Sequence, residues 1–339
     1  MRSARFAAVA ALLLIPALPG MAQEVEGDPI GMPPSAPAGW EAPRTPWGDP
    51  DFRGTYPLVQ GRTPMQRPER FGTQARYSDT EYREAFEAAE TLEAGADQED
   101  ANNQLGAGNW FEWGTTLHQT SLIVEPADGR IHMNEEGRRR AALMKSSWSE
   151  QVFEDFGDFN SLDHCITRGL PATMIPFPYN NGVRVFQAPG KVVLNHEMIH
   201  ETRVIDLGRT EHLPPEVTPW LGDSIGHWQG HTLVVETSNF TGIPPMVIVG
   251  PSNQPVPTSR RMRIVEHFTL YGPEKVYYEA WIEDPEVLAE PFKLAFPWTR
   301  DDSYEPFEYA CHEGNTLIPA YIKATSPRFE EFRKANGGS

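Results

Sequence analysis

Between residues 183 and 311, short β-branched and aromatic runs alternate with turn residues, and no helical period intervenes. The runs are Val183–Gln187, Lys191–Asn195, Thr202–Leu207, Ile225–Trp228, Thr232–Thr237, Met262–Leu270, Val276–Ile282, Phe292–Trp298 and Phe307–Cys311. Pro189-Gly190, Gln229-Gly230 and Gly272-Pro273 supply the turns between several of them. Strands at this spacing, without crossover helices, predict an antiparallel meander. Unpaired strand edges invite aggregation, so such a sheet is expected to close into a barrel or pair as a sandwich. The predicted class is therefore mainly β.

The N-terminal side has a different character. Proline accounts for 32 of 339 residues, about twice the usual ~5%. Much of it falls in residues 23–77, at Pro33-Pro34, Pro37, Pro43, Pro46 and Pro50. This segment reads as an extended arm, with Trp40, Trp47, Phe52 and Tyr56 docking on the core. A helix follows, because Ser78-Asp79-Thr80-Glu81 has the form of a capping box and Tyr82, Ala85, Phe86 and Ala89 recur at helical spacing. Gly95 is its expected stop, before a polar loop to residue 109. Leu122–Val124 and Arg130–Met133, joined by Pro126-Ala127-Asp128-Gly129, predict a hairpin. A short helix over Glu135–Lys145 is expected, weakened by Gly137. Residues 78–339 read as a single β-rich domain with one or two peripheral helices.

Residues 1–22 have the form of a secretory signal. Arg2 and Arg5 precede an apolar run from Phe6 to Leu18, and Gly20-Met21-Ala22 offers a cleavage site. This predicts a periplasmic or secreted protein. No other apolar stretch is long enough to span a membrane. The net charge of −18 argues against a nucleic-acid partner. In an oxidising compartment the two cysteines, Cys165 and Cys311, read as one disulfide. No G-x-G-x-x-G, Walker A loop or G-x-S-x-G elbow is present, so no organic cofactor is expected.

One metal motif does occur. His196-Glu197-Met198-Ile199-His200 matches H-E-x-x-H, which binds zinc when a helix puts both histidines on one face. An extended protease pattern wants Gly at 203 and a ligand at 206, where this chain has Arg203 and Asp206. The β-branched flanks favour strands on both sides. In a continuous strand the two histidines would point the same way but lie ~13 Å apart. The zinc set His196, His200 and Asp206 is kept as an alternative.

Other polar groups stand out. A Cys165–Cys311 bridge would gather Asp163-His164 and His312-Glu313 into one neighbourhood. Glu236, Glu266 and Glu279 interrupt apolar strands, with Arg184, Arg203 and Arg263 as available partners. A carboxylate on an apolar face either pairs with arginine or holds its proton more tightly.

The segments Thr45-Pro46-Trp47-Gly48-Asp49-Pro50-Asp51-Phe52-Arg53-Gly54, Asp163-His164-Cys165-Ile166-Thr167-Arg168-Gly169-Leu170-Pro171, Trp220-Leu221-Gly222-Asp223-Ser224, Trp228-Gln229-Gly230-His231-Thr232-Leu233-Val234-Val235-Glu236-Thr237 and Tyr309-Ala310-Cys311-His312-Glu313-Gly314-Asn315 form a set. Together they resemble an uncharacterised family of secreted bacterial proteins, over nearly all of the chain beyond the leader. The resemblance carries no activity. It implies that Glu236, Glu266, His312 and Glu313 belong to the shared pattern. It also implies that His164 commonly gives way to Arg there, and that the pairing of His196 with His200 is particular to this chain.

These observations predict a periplasmic protein with a cavity for a small organic or sugar-derived ligand or substrate. The leading reading is an enzyme using His/Glu acid–base chemistry for elimination, isomerisation or hydrolysis. Its expected participants are Glu236 and Glu266, His196 or His200, Arg203 as an oxyanion partner, and His312–Glu313. A non-catalytic binding protein is the alternative, and an HExxH zinc metallohydrolase the second.

Overall fold

A computed structural model describes residues 29–102, 111–112, 114–148, 151–249 and 254–335. The leader expected over residues 1–22 lies outside them, as do the first residues of the arm and residues 103–109 of the polar loop.

Ten strands form one curled sheet. In chain order they are β1 (Gly54–Pro57), β2 (Ile123–Glu125), β3 (Gly182–Ala188), β4 (Lys191–His196), β5 (Thr202–Asp206), β6 (Asp223–Gln229), β7 (Thr232–Ser238), β10 (Arg263–Gly272), β11 (Lys275–Glu283) and β12 (Phe292–Thr299). Strands β8 (Val247–Val249) and β9 (Gln254–Val256) make a separate two-stranded ladder. The sheet order is β1-β3-β4-β5-β6-β7-β10-β11-β12-β2, which curls into a half-barrel. All its pairs are antiparallel except β5–β6, where Ile205 lies opposite Ser224. The mainly β expectation holds.

The concave face is built by alternation. Leu233 and Val235 on β7, and Ile264 and Phe268 on β10, turn inward and are buried. Phe268, Tyr278 and Trp298 meet at centroid distances of 5.1 to 5.6 Å. Burying each such large side chain stabilises by about 2–3 kcal/mol relative to exposure. Phe52 and Tyr56 join this cluster from the arm, 6.0 Å from Phe268 and Trp298 respectively. The arm does more than lie on the surface, because β1 pairs with β3, Thr55 opposite Arg184.

Four expectations need correction. The hairpin over residues 122–133 does not form: β2 pairs with β12 instead, while the Ile131 amide donates to Gln66 and Met133 bridges to Leu288. Residues 307–311 are not a strand. The Phe307 amide donates to the Glu197 carboxylate and the Cys311 amide to the Tyr309 carbonyl, so no ladder is available. Helix α1 (Asp79–Ala101) opens with the Ser78 capping box as expected but runs through Gly95. One glycine costs a helix only about 1 kcal/mol. Helix α2 (Glu135–Ala141) is shorter than expected, and its Gly137 serves packing: a Cβ there would sit 2.1 Å from the Val287 carbonyl oxygen.

Two C-terminal helices, α3 (Leu317–Thr325) and α4 (Pro327–Ala335), were not foreseen. Ile318, Tyr321 and Ile322 on α3 form a stripe against Phe153 and Phe159. This second small core sits beside the sheet and braces the disulfide region.

Candidate functional site

The H-E-x-x-H segment is neither helix nor strand. Strand β4 turns Val192, Leu194 and His196 inward and ends there. Met198–His200 forms a single 3-10 turn in which Ile199 and His200 take left-handed φ values of 61° and 44°. Both histidines border one open pocket of about 270 Å³, with Arg184, Glu197 and Glu308, but from different depths. His196 is buried inside and His200 is exposed. Asp206 lies opposite Lys191 in the β4–β5 register, five residues along β4 from His196, or ~17 Å. Its carboxylate is taken by Lys191 and Arg209. The structure does not gather the alternative zinc set, and among the described residues no group of three His, Cys, Asp or Glu side chains is arranged to hold a metal.

Glu197 is fully occupied. Its carboxylate accepts from Asn180 Nδ2 at 2.9 Å, the Gly182 amide at 3.0 Å, the Tyr304 hydroxyl at 2.6 Å and the Phe307 amide at 2.7 Å. It pins the 305–311 segment to the end of β3. His196 is held neutral, pushed down to about 3 by burial, with Arg203 and Arg168 adding repulsion. Its Nε2 has no hydrogen-bond partner among the described residues.

The register separates the two sheet carboxylates expected to work together. Val265 of β10 pairs with Glu236, whereas Glu266 pairs with Val235. Adjacent residues face opposite ways, so Glu266 points into the half-barrel and Glu236 away from it. On the outer face, Arg263 grips Glu236 at 3.0 and 2.7 Å, and His212 Nε2 stands 3.4 Å away. Sequence reasoning overlooked His212. Its Nδ1 lies 3.0 Å from Asp223 Oδ2, which also accepts from the Leu213 amide, while Arg209 holds the other oxygen at 2.6 Å. The Trp220–Ser224 motif contained the signal, since Asp223 is the residue that organises this network.

On the inner face, Arg203 binds both oxygens of Glu266 and donates to Ser224 and Thr237 as well. The Tyr278 hydroxyl donates to Glu266 at 3.0 Å. Burial works against the Arg203 charge, but Glu266 outweighs it and raises the guanidinium pKa. Only 2% of the Arg203 side chain and 1% of the Glu266 side chain are exposed. In this conformation neither reaches a ligand.

A different neighbourhood has room. Cys165 and Cys311 are bonded, with Cα atoms 5.7 Å apart. The bridge frames an open cleft of about 510 Å³ whose walls include Trp148, Asp163, Tyr179, Tyr309 and Tyr321. The bridge brings His312 and Glu313 near Asp163-His164 in the chain path as expected, but both are exposed and neither lines the cleft. Asp163 does line it. A local turn sets this residue: Asn160 Oδ1 accepts from the Leu162 and Asp163 amides, and Asp163 Oδ2 accepts from the Asn160 amide. Burial raises the Asp163 pKa, partly offset by the Ser147 hydroxyl that donates to it. Tyr179 and Tyr309 lie with their rings nearly parallel, 6.4 Å between centroids. Tyr321 donates to the Ser147 carbonyl at 2.9 Å, tying α3 to the cleft wall.

Such a cleft offers flat aromatic faces and one carboxyl group whose pKa burial raises. No helix among the described residues is long and apolar enough to cross a membrane. The disulfide fits an extracellular or periplasmic setting. No protein-family model, curated protein or solved structure matches the chain.

Proposed function

We propose that this is a periplasmic or secreted protein that binds a small hydroxylated, sugar-derived molecule in the disulfide-framed cleft and acts on it through Asp163. The observation that carries this reading is a burial-raised carboxyl group on the wall of an aromatic cleft of about 510 Å³. Aromatic faces pack against the C–H surfaces of such molecules, and a protonated carboxyl donates to a leaving or carbonyl oxygen. Glu308 lines the same cleft as an exposed carboxylate and supplies a candidate base. The chemistry would be elimination, isomerisation or hydrolysis by proton transfer, with Asp163 replacing the sheet carboxylates in the acid role.

The second reading, binding without chemistry, has its own support. The two sheet carboxylates expected to react are already committed: Glu266 to Arg203 and Tyr278, and Glu236 to Arg263.

The test is an NMR screen of the whole protein against a panel of uronic acids, aldonolactones and simple glycosides. Turnover lost in Asp163→Asn at unchanged melting temperature supports the enzyme. Binding without turnover supports the second reading. No binding by any member of the panel removes both.

A further inference from the structure

Behind Trp148 and Leu162, which line both spaces, lies a second cavity of about 310 Å³. Its walls are apolar, formed by side chains such as Met65, Ile175, Phe177 and Val247. Among the described residues Arg168 is the single charged residue lining it. The guanidinium stacks over the Phe177 ring, 4.5 Å from the centroid, and among the described residues makes one hydrogen bond, to the Ile175 carbonyl at 3.3 Å. Among the described residues it forms no ion pair. Glu201 contributes charge at longer range, and its carboxyl accepts from Thr173 at 3.0 Å. An arginine carries five donors in a planar fork, so most of this fork is unspent.

Asn160 lines the same cavity and is 9% exposed. Its amide orientation is fixed, because Oδ1 already accepts from two backbone amides. That leaves Nδ2 as a buried donor, and among the described residues it has no partner. Buried donors are normally satisfied. An apolar box holding an under-paired guanidinium and an orphaned amide N–H is complementary to an anionic oxygen pair on an apolar body.

We propose that this cavity is a binding site for a small apolar carboxylate, with Arg168 and Asn160 Nδ2 holding the carboxylate oxygens and Phe177 packing against the hydrocarbon. The proposal is independent of the chemistry assigned to Asp163. Burial pushes the Arg168 pKa down to about 10, as expected of a cation short of a counter-charge.

Calorimetry on the whole oxidised protein compares octanoate with octanol, which shares the chain and lacks the charge. Octanoate is expected to bind at least about ten-fold tighter, the equivalent of one charge-assisted hydrogen bond. Arg168→Gln should erase that preference and leave octanol binding in place. Asn160→Asp keeps the acceptor used by the local turn and turns the donor into a repelling oxygen. It should also erase the preference, and it decides the matter if Arg168→Gln fails to fold. No octanoate binding at about 1 mM, equal affinity for the two probes, or a preference that survives both substitutions overturns the proposal. The readout needs no turnover, so it stands or falls apart from the chemistry of the neighbouring cleft.

Discussion

Arg203 on β5 reaches across β6 and β7 to close a two-pronged ion pair with Glu266 on β10, and both side chains are almost wholly buried. The pair spans four neighbouring strands and fixes their relative positions. Ser224 and Thr237, from the two strands between, donate no charge but fill remaining positions around the guanidinium.

Removing one charge from such a pair leaves the other buried and uncompensated, which costs about 3–5 kcal/mol. Glu266→Gln is therefore expected to lower unfolding free energy by about 3 kcal/mol or more in urea titrations. An Arg203→Met, Glu266→Leu double variant should recover most of the loss, because apolar replacements of a buried pair are often neutral or better. A loss below about 1 kcal/mol in Glu266→Gln would show that the pair contributes little to stability.

His196 predicts a pH dependence. Its folded pKa is pushed down to about 3 from the ordinary imidazole value of 6.5, by burial first and by Arg203 and Arg168 after. The unfolded chain thus binds a proton that the folded chain refuses. The corresponding stability is complete above pH 6.5 and drains away as pH falls toward 3, with a slope approaching about 1.4 kcal/mol per pH unit. Urea titrations of the native protein and of His196→Phe, at several values between pH 7 and 4, isolate this slope from that of the carboxylates. Parallel curves for the two proteins would contradict it.

How much of this was readable beforehand depended on parity and on distance. Most strands of the main sheet were legible where alternation is as unambiguous as Ile264-Glu266-Phe268 on β10, but β1 was hidden in the proline-rich arm. On β7, Val234 and Val235 are both apolar, so alternation alone does not say which way Glu236 points. The register with β10 decides it, and register is a property of two strands. The C-terminal helices were hidden by brevity, by Pro319 within α3 and by Pro327 at the start of α4. The cleft draws on Trp148, Asp163, Tyr179, Tyr309 and Tyr321, which no local pattern connects. The cysteine pair did point to the neighbourhood. It could not show that Asp163 faces the cleft while His312 and Glu313 face water.

The disulfide should matter to stability as well as to shape. It closes a loop with a sequence separation of 146, and loop-closure entropy for that length gives about 4–5 kcal/mol, usually less in measurement. Cys165→Ser combined with Cys311→Ser is expected to lose about 2–4 kcal/mol. Titration of the unfolded, unreduced native protein should find no free thiol. Two free thiols per chain, or a double variant as stable as the native protein, would remove the bridge from the stability argument.

Glu197 separates a structural from a metal-dependent reading of H-E-x-x-H. A zinc hydrolase needs that glutamate beside a metal-bound water, and its loss stops chemistry while the fold persists. Here four donors converge on the carboxylate, two of them backbone amides. Glu197→Ala would leave these donors unpaired and release the 305–311 segment, whose Phe307 amide it holds. Each unsatisfied buried donor costs about 1–3 kcal/mol, with part of that recovered where water enters. The expected result is a loss of roughly 3 kcal/mol in urea unfolding and early proteolysis between residues 303 and 311. Exposed His200, by contrast, should tolerate alanine with a change within about 0.5 kcal/mol. Its left-handed φ of 44° makes glycine at least as comfortable there. Elemental analysis of the native protein completes the experiment. One tightly bound zinc per chain, lost in His200→Ala, together with a stable fold in Glu197→Ala, would overturn the structural reading and restore the metallohydrolase.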